Sequence, residues 1–278
     1  MNALERQKTI RNVIIFSVLV LIVAWLAPLF DGNSIMQGPG FILWGIAPLI
    51  VSLLLRAATR DWADFGPKPA IKKNLQWYIV SAIFYPVIMV LALFFGALTS
   101  VVSISEFSLG RYLQIALTAL PPFIIFAIFE EVGWRGYLAP KLTSLGLNRY
   151  AAAGLLALVW TVRHVPYVQQ LPWVSFSEEL LPFLPRFFLR LFSTALVYGA
   201  IRNITGTFWP AVLMHGVGNA FGHPLEADYV TVAAGTEYVG SISTGLFVIA
   251  FVFLFAVAII RWQARRTNPS NSFAQNLG

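Results

Sequence analysis

The sequence predicts an all-α, polytopic membrane protein with about eight transmembrane helices. The chain of 278 residues is 58% hydrophobic and only 11% charged, whereas soluble domains usually carry about 25% charged residues. Charge-free stretches recur along it at lengths near the roughly 20 apolar residues that cross a bilayer core as a helix. We therefore treat residues 1–278 as a single integral membrane domain, with a polar tail at 268–278 that we expect to be disordered.

The predicted spans follow the charge-free runs. They are Asn12–Phe30, Gly32–Leu55, Leu75–Leu98, Tyr112–Arg135, Tyr150–Val165, Phe187–Ile201, Asn203–Leu225 and Tyr238–Ile260. Pro121 and Pro122 predict a kink in the fourth span, because proline cannot complete the helical hydrogen-bond pattern. The first span has no small-residue cleavage site and is long enough to remain as an anchor.

The basic residues determine the predicted orientation. A cytoplasmic amino terminus brings most of the nineteen Lys and Arg residues to the cytoplasmic side, as the positive-inside rule requires. Both termini are then cytoplasmic, and the net charge of +7 reflects topology and contact with the lipid bilayer. No nucleic acid partner is expected, because the basic residues do not form one solvated patch. The absence of cysteine excludes disulfides, thiolate ligands and a cysteine nucleophile.

The fourth span ends in a charged run, EEVGWR at Glu130–Arg135. Charges in hydrocarbon cost about 2.5–3.5 kcal/mol each on insertion scales, so they persist there when they pair or carry function. Glu131 and Arg135 are at i,i+4, which predicts an ion pair on one helix face. A structural role and a catalytic role for this pair are equally open. Glu130 lies about 100° around the helix and has no partner within the run.

Histidines from other spans reach a similar depth. At about 1.5 Å per helical residue, Glu130 lies roughly 16 Å, His215 roughly 20 Å and His164 roughly 22 Å from the predicted cytoplasmic face. Asn219 follows His215 by one turn and shares its face. We therefore expect the two histidines to be the partners of Glu130. His223, next to a proline near the far side, is expected in a loop.

These residues are suited to hydrolysis of an amide by either of two chemistries. Glutamate and histidine can hold and deprotonate a water molecule, while His215 and Asn219 can donate hydrogen bonds to a developing oxyanion. Alternatively, Glu130, His164 and His215 can form a Zn²⁺ site with an open position. We favour water activation without an obligatory metal, because only these three side chains offer strong ligands. The sequence contains no His-Glu-x-x-His, Gly-x-Ser-Gly or Gly-x-Gly-Asp motif of other membrane proteases.

Three motifs resemble those of the CAAX-protease and bacteriocin-processing (Abi-type) family of intramembrane endopeptidases. The family's motifs are Glu-Glu-x-x-x-Arg, an aromatic residue followed by x-x-x-His, and His-x-x-x-Asn. Here they read Glu130–Arg135, Trp160–His164 and His215–Asn219, within a motif-bearing core at about 112–222. The flanking sequences RGYLAP and TFWP also resemble the bacterial branch, which implies the bacterial plasma membrane.

The resemblance implies roles for the motif residues. Glu130 and His164 would hold and activate the attacking water, and His215 and Asn219 would stabilise the oxyanion. The substrate would be a membrane-associated peptide or protein. Members of the family have been described both as metalloproteases and as glutamate-dependent proteases, so the resemblance leaves a zinc cofactor open.

The remaining motif positions carry a supporting pair and two departures from the family. Glu131 and Arg135 would shape the site. Trp160 occupies a position where phenylalanine is common, and we expect this change of bulk to leave the acid–base residues untouched. Arg163 is an unusual neighbour for His164.

Two other classes of function are compatible with the sequence. A non-catalytic membrane scaffold or immunity-type protein could keep the fold without the activity. A transporter would also concentrate ionisable groups at mid-membrane, but it would usually show inverted repeats and broken helices, which the sequence lacks. All motif residues are retained, which favours an active endopeptidase.

Overall fold

A computed structural model describes residues 1–32, 38–168 and 180–267. Its helices are α1 (Ala3–Leu26), α2 (Pro39–Thr59), α3 (Ile71–Leu98), α4 (Leu109–Gly133), α5 (Ala139–Ser144), α6 (Arg149–Val168), α7 (Leu180–Thr205), α8 (Trp209–Asp228), α9 (Glu237–Gly240) and α10 (Leu246–Thr267). The predicted all-α, polytopic membrane fold is confirmed. The predicted disordered tail at 268–278 lies outside the described residues.

Seven segments of the described chain are long and apolar enough to cross a membrane. They are Ala3–Phe30, Pro39–Thr59, Ile71–Leu98, Leu109–Ser144, Arg149–Val168, Leu180–Thr205 and Leu246–Arg266. The predicted span Asn203–Leu225 forms instead as α8, which has 20 residues but is not among the seven. It is less apolar because it carries His215, Asn219 and His223, and it lies within the helical bundle.

The bundle is arranged around α8. This helix packs mainly against α4 and α3, while α2 covers α4, and α7 packs against α6 and α10. Glycines permit the closest approaches: a Cβ at Gly133 of α4 would lie 2.4 Å from Pro48 Cβ of α2, and one at Gly216 of α8 would lie 2.5 Å from Ile124 Cδ1 of α4. Small residues allow helices in membranes to come into such contact.

Two short strands tie the loops at one end of the bundle. β1 (Val102–Ile104) pairs antiparallel with β2 (Val230–Val232), with Val102 opposite Val232. The first strand lies between α3 and α4 and the second follows α8. The ladder therefore holds the start of α4 near the end of α8, and these two helices carry most of the predicted site.

Candidate active site

The charged run lies where α4 changes its helical pitch. The helix α4 continues through Pro121 and Pro122, and a π-helical turn follows at Trp134–Leu138. The backbone N–H of Ala139 donates to the carbonyl at the start of this turn, so the carbonyl of Arg135 loses its usual α-helical donor. Pro140 has no N–H, so the carbonyl of Gly136 also lacks one.

Two arginines from other helices satisfy these carbonyls. Arg56 of α2, whose side chain is fully buried, donates from Nη2 to the carbonyl oxygen of Gly136. Arg202 of α7 donates from Nε to the carbonyl oxygen of Arg135 at 3.2 Å. The π-helical turn is thus held in place by side chains, as buried backbone acceptors require.

An acidic loop after α2 supports the same region. Asp64 accepts a hydrogen bond from Arg56 at 2.7 Å and from Lys141 at 2.9 Å, and Lys141 also meets Asp61 at 2.6 Å. Burial alone would raise the pKa of Asp64, but the hydrogen bonds and positive charges of Lys141 and Arg56 outweigh it. The pKa of Asp64 therefore lies below its ordinary value.

Glu131 and Arg135 form the ion pair that their spacing predicts. Both side chains are fully buried, and Nη1 of Arg135 lies 3.0 Å from Glu131 Oε2. The guanidinium carbon lies 4.7 Å from the ring centres of both Trp160 and Tyr198. Glu131 Oε1 also meets Nδ1 of His215 at 2.9 Å. The ion pair therefore joins two residues one turn apart and, through Glu131, also connects α4 to α8.

Glu130 is paired with a guanidinium, and the prediction that histidines are its partners is wrong. Its Oε1 accepts a hydrogen bond from Nη1 of Arg163 at 2.9 Å. Its Oε2 accepts hydrogen bonds from the indole N–H groups of Trp134 at 3.1 Å and Trp160 at 2.8 Å. The side chain is buried, with 4% of the residue exposed, and a buried carboxylate requires such a charged partner.

The contacts of Trp160 overturn the expectation that it leaves the acid–base residues untouched. Besides donating to Glu130, its ring lies 6.3 Å from the ring of His164 and 5.8 Å from that of His215, centre to centre. A phenylalanine at this position would fill space but would donate no hydrogen bond. Trp160 is therefore a polar partner of the site.

His164 is fixed by its own helix. Its Nδ1 lies 2.7 Å from the carbonyl oxygen of Trp160, so Nδ1 carries the proton and donates it, because a carbonyl only accepts. Its ring packs edge-on against Trp44 at 5.1 Å and Phe187 at 5.3 Å. Within the described part of the chain, Nε2 has no hydrogen-bond partner, so this nitrogen keeps a lone pair available to accept a proton.

His215 and Asn219 come from α8 and meet the other two residues at one cavity. Nδ1 of His215 donates to Glu131, which fixes the orientation of the ring. Asn219, half-buried, makes no hydrogen bond with another described residue. Glu130, His164, His215 and Asn219 all line a cavity of about 350 Å³. The four residues predicted to act together therefore line one cavity, from α4, α6 and α8.

The rest of the cavity is lined by aromatic and aliphatic side chains, with Arg190 the one Lys or Arg among its described residues. Phe41, Phe126 and Phe187 contribute to its lining, as does Arg190. The prediction that His223 lies in a loop is wrong, because it is part of α8 and also faces this cavity. An apolar enclosure with a few polar groups is typical of a small-molecule or peptide site.

A zinc site built from Glu130, His164 and His215 stays a prediction. Across residues 1–32, 38–168 and 180–267, no three His, Asp or Glu side chains are grouped to hold a metal ion. The oxygens of Glu130 accept from three N–H donors, and the rings of His164 and His215 both lie near the ring of Trp160.

Three residues of the site were missed or undervalued in the sequence: Trp134, Trp160 and Arg163. A signal for them was present. Trp134 is at i+4 from Glu130 and shares its face, and Arg163 is at i+3 from Trp160. Helical spacing therefore groups the two donors of α6, but the sequence does not say which neighbouring helix that face meets.

Comparison with known proteins agrees with the motifs. Residues 112–221, from α4 to α8, match the family model described as Type II CAAX prenyl endopeptidase Rce1-like. No curated protein matches the chain. The matched segment contains all three motifs, with Glu130, His164, His215 and Asn219. Over residues 112–221, which are less than half of the chain, this protein is similar to the CAAX protease family of membrane endopeptidases.

Proposed function

We propose that this protein hydrolyses a peptide bond within the membrane, using a water molecule activated by Glu130 and His164. The observation that carries the proposal is the single cavity that these two residues line together with His215 and Asn219. Three helices contribute the four side chains, so their convergence is a property of the fold and not of one local sequence run.

The proposed reaction begins with proton removal from water. Glu130 accepts a hydrogen bond from the water, and Nε2 of His164 or the carboxylate takes its proton. The resulting hydroxide attacks the carbonyl carbon of the peptide, and the carbonyl π bond breaks toward oxygen. The proton then passes to the amide nitrogen, so the C–N bond breaks and a carboxyl and an amine leave. This sequence requires no metal, and it extends our preference for a glutamate-activated water.

The oxyanion of the intermediate requires donors that are already in place. The side-chain amide of Asn219 offers an N–H that no described residue uses. His215 can offer an Nε2–H donor when both of its ring nitrogens carry a proton, and its Nδ1–H donates to the carboxylate of Glu131. A carboxylate that orients a histidine in this way is familiar from serine proteases. Glu131 and Arg135 therefore act as supporting residues.

The lining of the cavity limits the class of substrate. Its phenylalanine rings favour an apolar peptide segment, and the surrounding helices span the membrane. We propose a membrane-associated peptide or protein as the substrate. On the resemblance of the flanking RGYLAP and TFWP sequences, we propose the bacterial plasma membrane as the location.

The test is cleavage of a defined pool of apolar peptides by purified protein in lipid vesicles, with products identified by mass spectrometry. The parent, Glu130→Gln and Glu106→Gln are compared. Glu106 is exposed and lies outside the family match, so it controls for loss of a carboxylate. We expect products from the parent and Glu106→Gln only. Parental cleavage by Glu130→Gln would refute the catalytic assignment, and no cleavage by any of the three would favour a scaffold protein.

A further inference from the structure

Arg163 is the buried cation closest in sequence to the predicted catalytic histidine, at a variable position of the family's aromatic-x-x-x-His motif. Its side chain is fully buried, and Nη1 donates to Glu130 Oε1 at 2.9 Å. Fully burying an arginine is costly unless its charge and its donors are compensated. Its placement against Glu130 therefore calls for an explanation beyond packing.

The guanidinium is also held by Trp44, a residue of α2. Nη2 of Arg163 donates to the carbonyl oxygen of Trp44 at 2.6 Å, and the guanidinium carbon lies 3.8 Å from the centre of the Trp44 ring. In return, the indole N–H of Trp44 donates to the carbonyl oxygen of Arg163 at 3.0 Å. These reciprocal contacts fix where Nη1 points.

The carboxylate of Glu130 is in turn held on both oxygens. A carboxylate offers about four acceptor positions. Trp134 and Trp160 use two on Oε2, and Arg163 uses one on Oε1. Because donors lie at both oxygens, the group cannot rotate without breaking a hydrogen bond. One acceptor position remains, on the oxygen that Arg163 contacts.

We propose that Arg163 is the positioning residue for Glu130: it balances the carboxylate's charge and holds its one remaining acceptor position ready for the attacking water. The inference rests on the proposed function, in which that water is the nucleophile. Arg163 itself does not touch the water or the substrate. A lysine could supply the charge, but an ammonium lacks the planar fork that reaches Glu130 and Trp44 together.

The experiment compares Arg163→Gln and Arg163→Lys with the parent in peptide cleavage, measuring kcat and KM separately. The matched control is Arg186→Gln, which removes another buried arginine, one that donates to the carbonyl oxygen of Thr244 at 3.0 Å. Removal of a residue that orients a catalytic group typically costs about 10–100-fold in activity. We expect Arg163→Gln to lose that factor in kcat with KM nearly unchanged, Arg163→Lys to recover part of it, and Arg186→Gln to keep the parental kcat.

A second arm does not depend on activity. Melting temperatures are measured for Glu130→Gln, Arg163→Gln and the double variant, because paired residues give non-additive effects. We expect each single variant to melt below the parent, and the double variant to melt above the value that the two single effects predict when added.

The outcomes separate this inference from the proposed function. If Glu130→Gln is inactive but Arg163→Gln keeps a parental kcat, the positioning role is refuted and the proposed function stands. Equal losses in Arg163→Lys and Arg163→Gln, or additive melting effects, would also overturn it. If the parent cleaves nothing, the proposed function fails. Non-additive melting temperatures would then still show that Glu130 and Arg163 are paired, but the pair would have no catalytic role.

Discussion

Replacing Glu130 by glutamine should remove activity and also lower thermal stability. The carboxylate accepts hydrogen bonds on both oxygens, from Arg163 on one side and from Trp134 and Trp160 on the other. Glutamine has one oxygen and one NH₂ group. Whichever way its amide is oriented, the NH₂ group faces either the guanidinium or the two indole N–H groups, donor against donor.

The expected magnitude follows from the burial of the partner. Arg163 is 0% exposed, and breaking a buried ion pair by removing one member costs about 3–5 kcal/mol. For a chain of this size, 1 kcal/mol corresponds to about 2–4 °C in melting temperature, so the fall should be about 6–20 °C. Loss of a positioned general base should lower the rate by about 10²–10⁴-fold.

The assay is a paired measurement of peptide cleavage and melting temperature in the same detergent, with Glu106→Gln as the control that should change neither. From the sequence alone, Glu130 had no charged partner, and neutralising a lone buried charge would not destabilise the fold. A Glu130→Gln protein that melts at the parental temperature would therefore refute the ion pair with Arg163. Cleavage near the parental rate would refute the catalytic role instead.

Four further predictions concern stability, membrane orientation, metal content and pH dependence. Glu131→Gln should lower the melting temperature, because it leaves the buried Arg135 without its counter-charge, and an unchanged value would argue against that pair. Reporter insertions at Gly235 and at Gly278 should report opposite sides of the membrane; the same side for both would contradict the predicted orientation. Purified parent protein should cleave peptides without bound zinc. Stoichiometric zinc in active protein, with activity that is lost on chelation and returns when zinc is added back, would reverse our preference. The pKa of Asp64 is lowered in the folded protein, so its ionised carboxylate stabilises the fold at pH values above its ordinary pKa of about 4. This stabilisation is lost as the pH falls below that value. The melting temperature of Asp64→Asn should therefore depend less on pH below about 4 than that of the parent.

The parts of the fold that depend on local chemistry could be predicted from the sequence. Charge-free runs identify membrane helices because an unpaired charge or an open backbone is costly in hydrocarbon. The pair of Glu131 with Arg135 follows from helical spacing alone. The sequence also predicts that the carbonyl of Gly136 needs a donor from outside its helix, because Pro140, four residues later, has no N–H to donate to it.

The parts that depend on how helices face each other could not be predicted. Depth along the membrane brought Glu130 level with two histidines, but depth does not specify rotation about the helix axis. The face of α6 that carries Trp160 and Arg163 turns toward α4, and this gives Glu130 its partners. Similarly, the segment Asn203–Leu225 was predicted as a membrane span, whereas α8 is not among the seven segments long and apolar enough to cross a membrane.

The charges of the site form two neutral pairs linked by one indole. Glu131 is balanced by Arg135 and Glu130 by Arg163. Trp160 receives the guanidinium of Arg135 against its ring and donates its N–H to Glu130, so it contacts one member of each pair. In a medium of low dielectric constant, an unbalanced charge is far more costly than in water. The two pairs therefore balance the charges of two adjacent buried carboxylates, and a change at either arginine should affect both pairs.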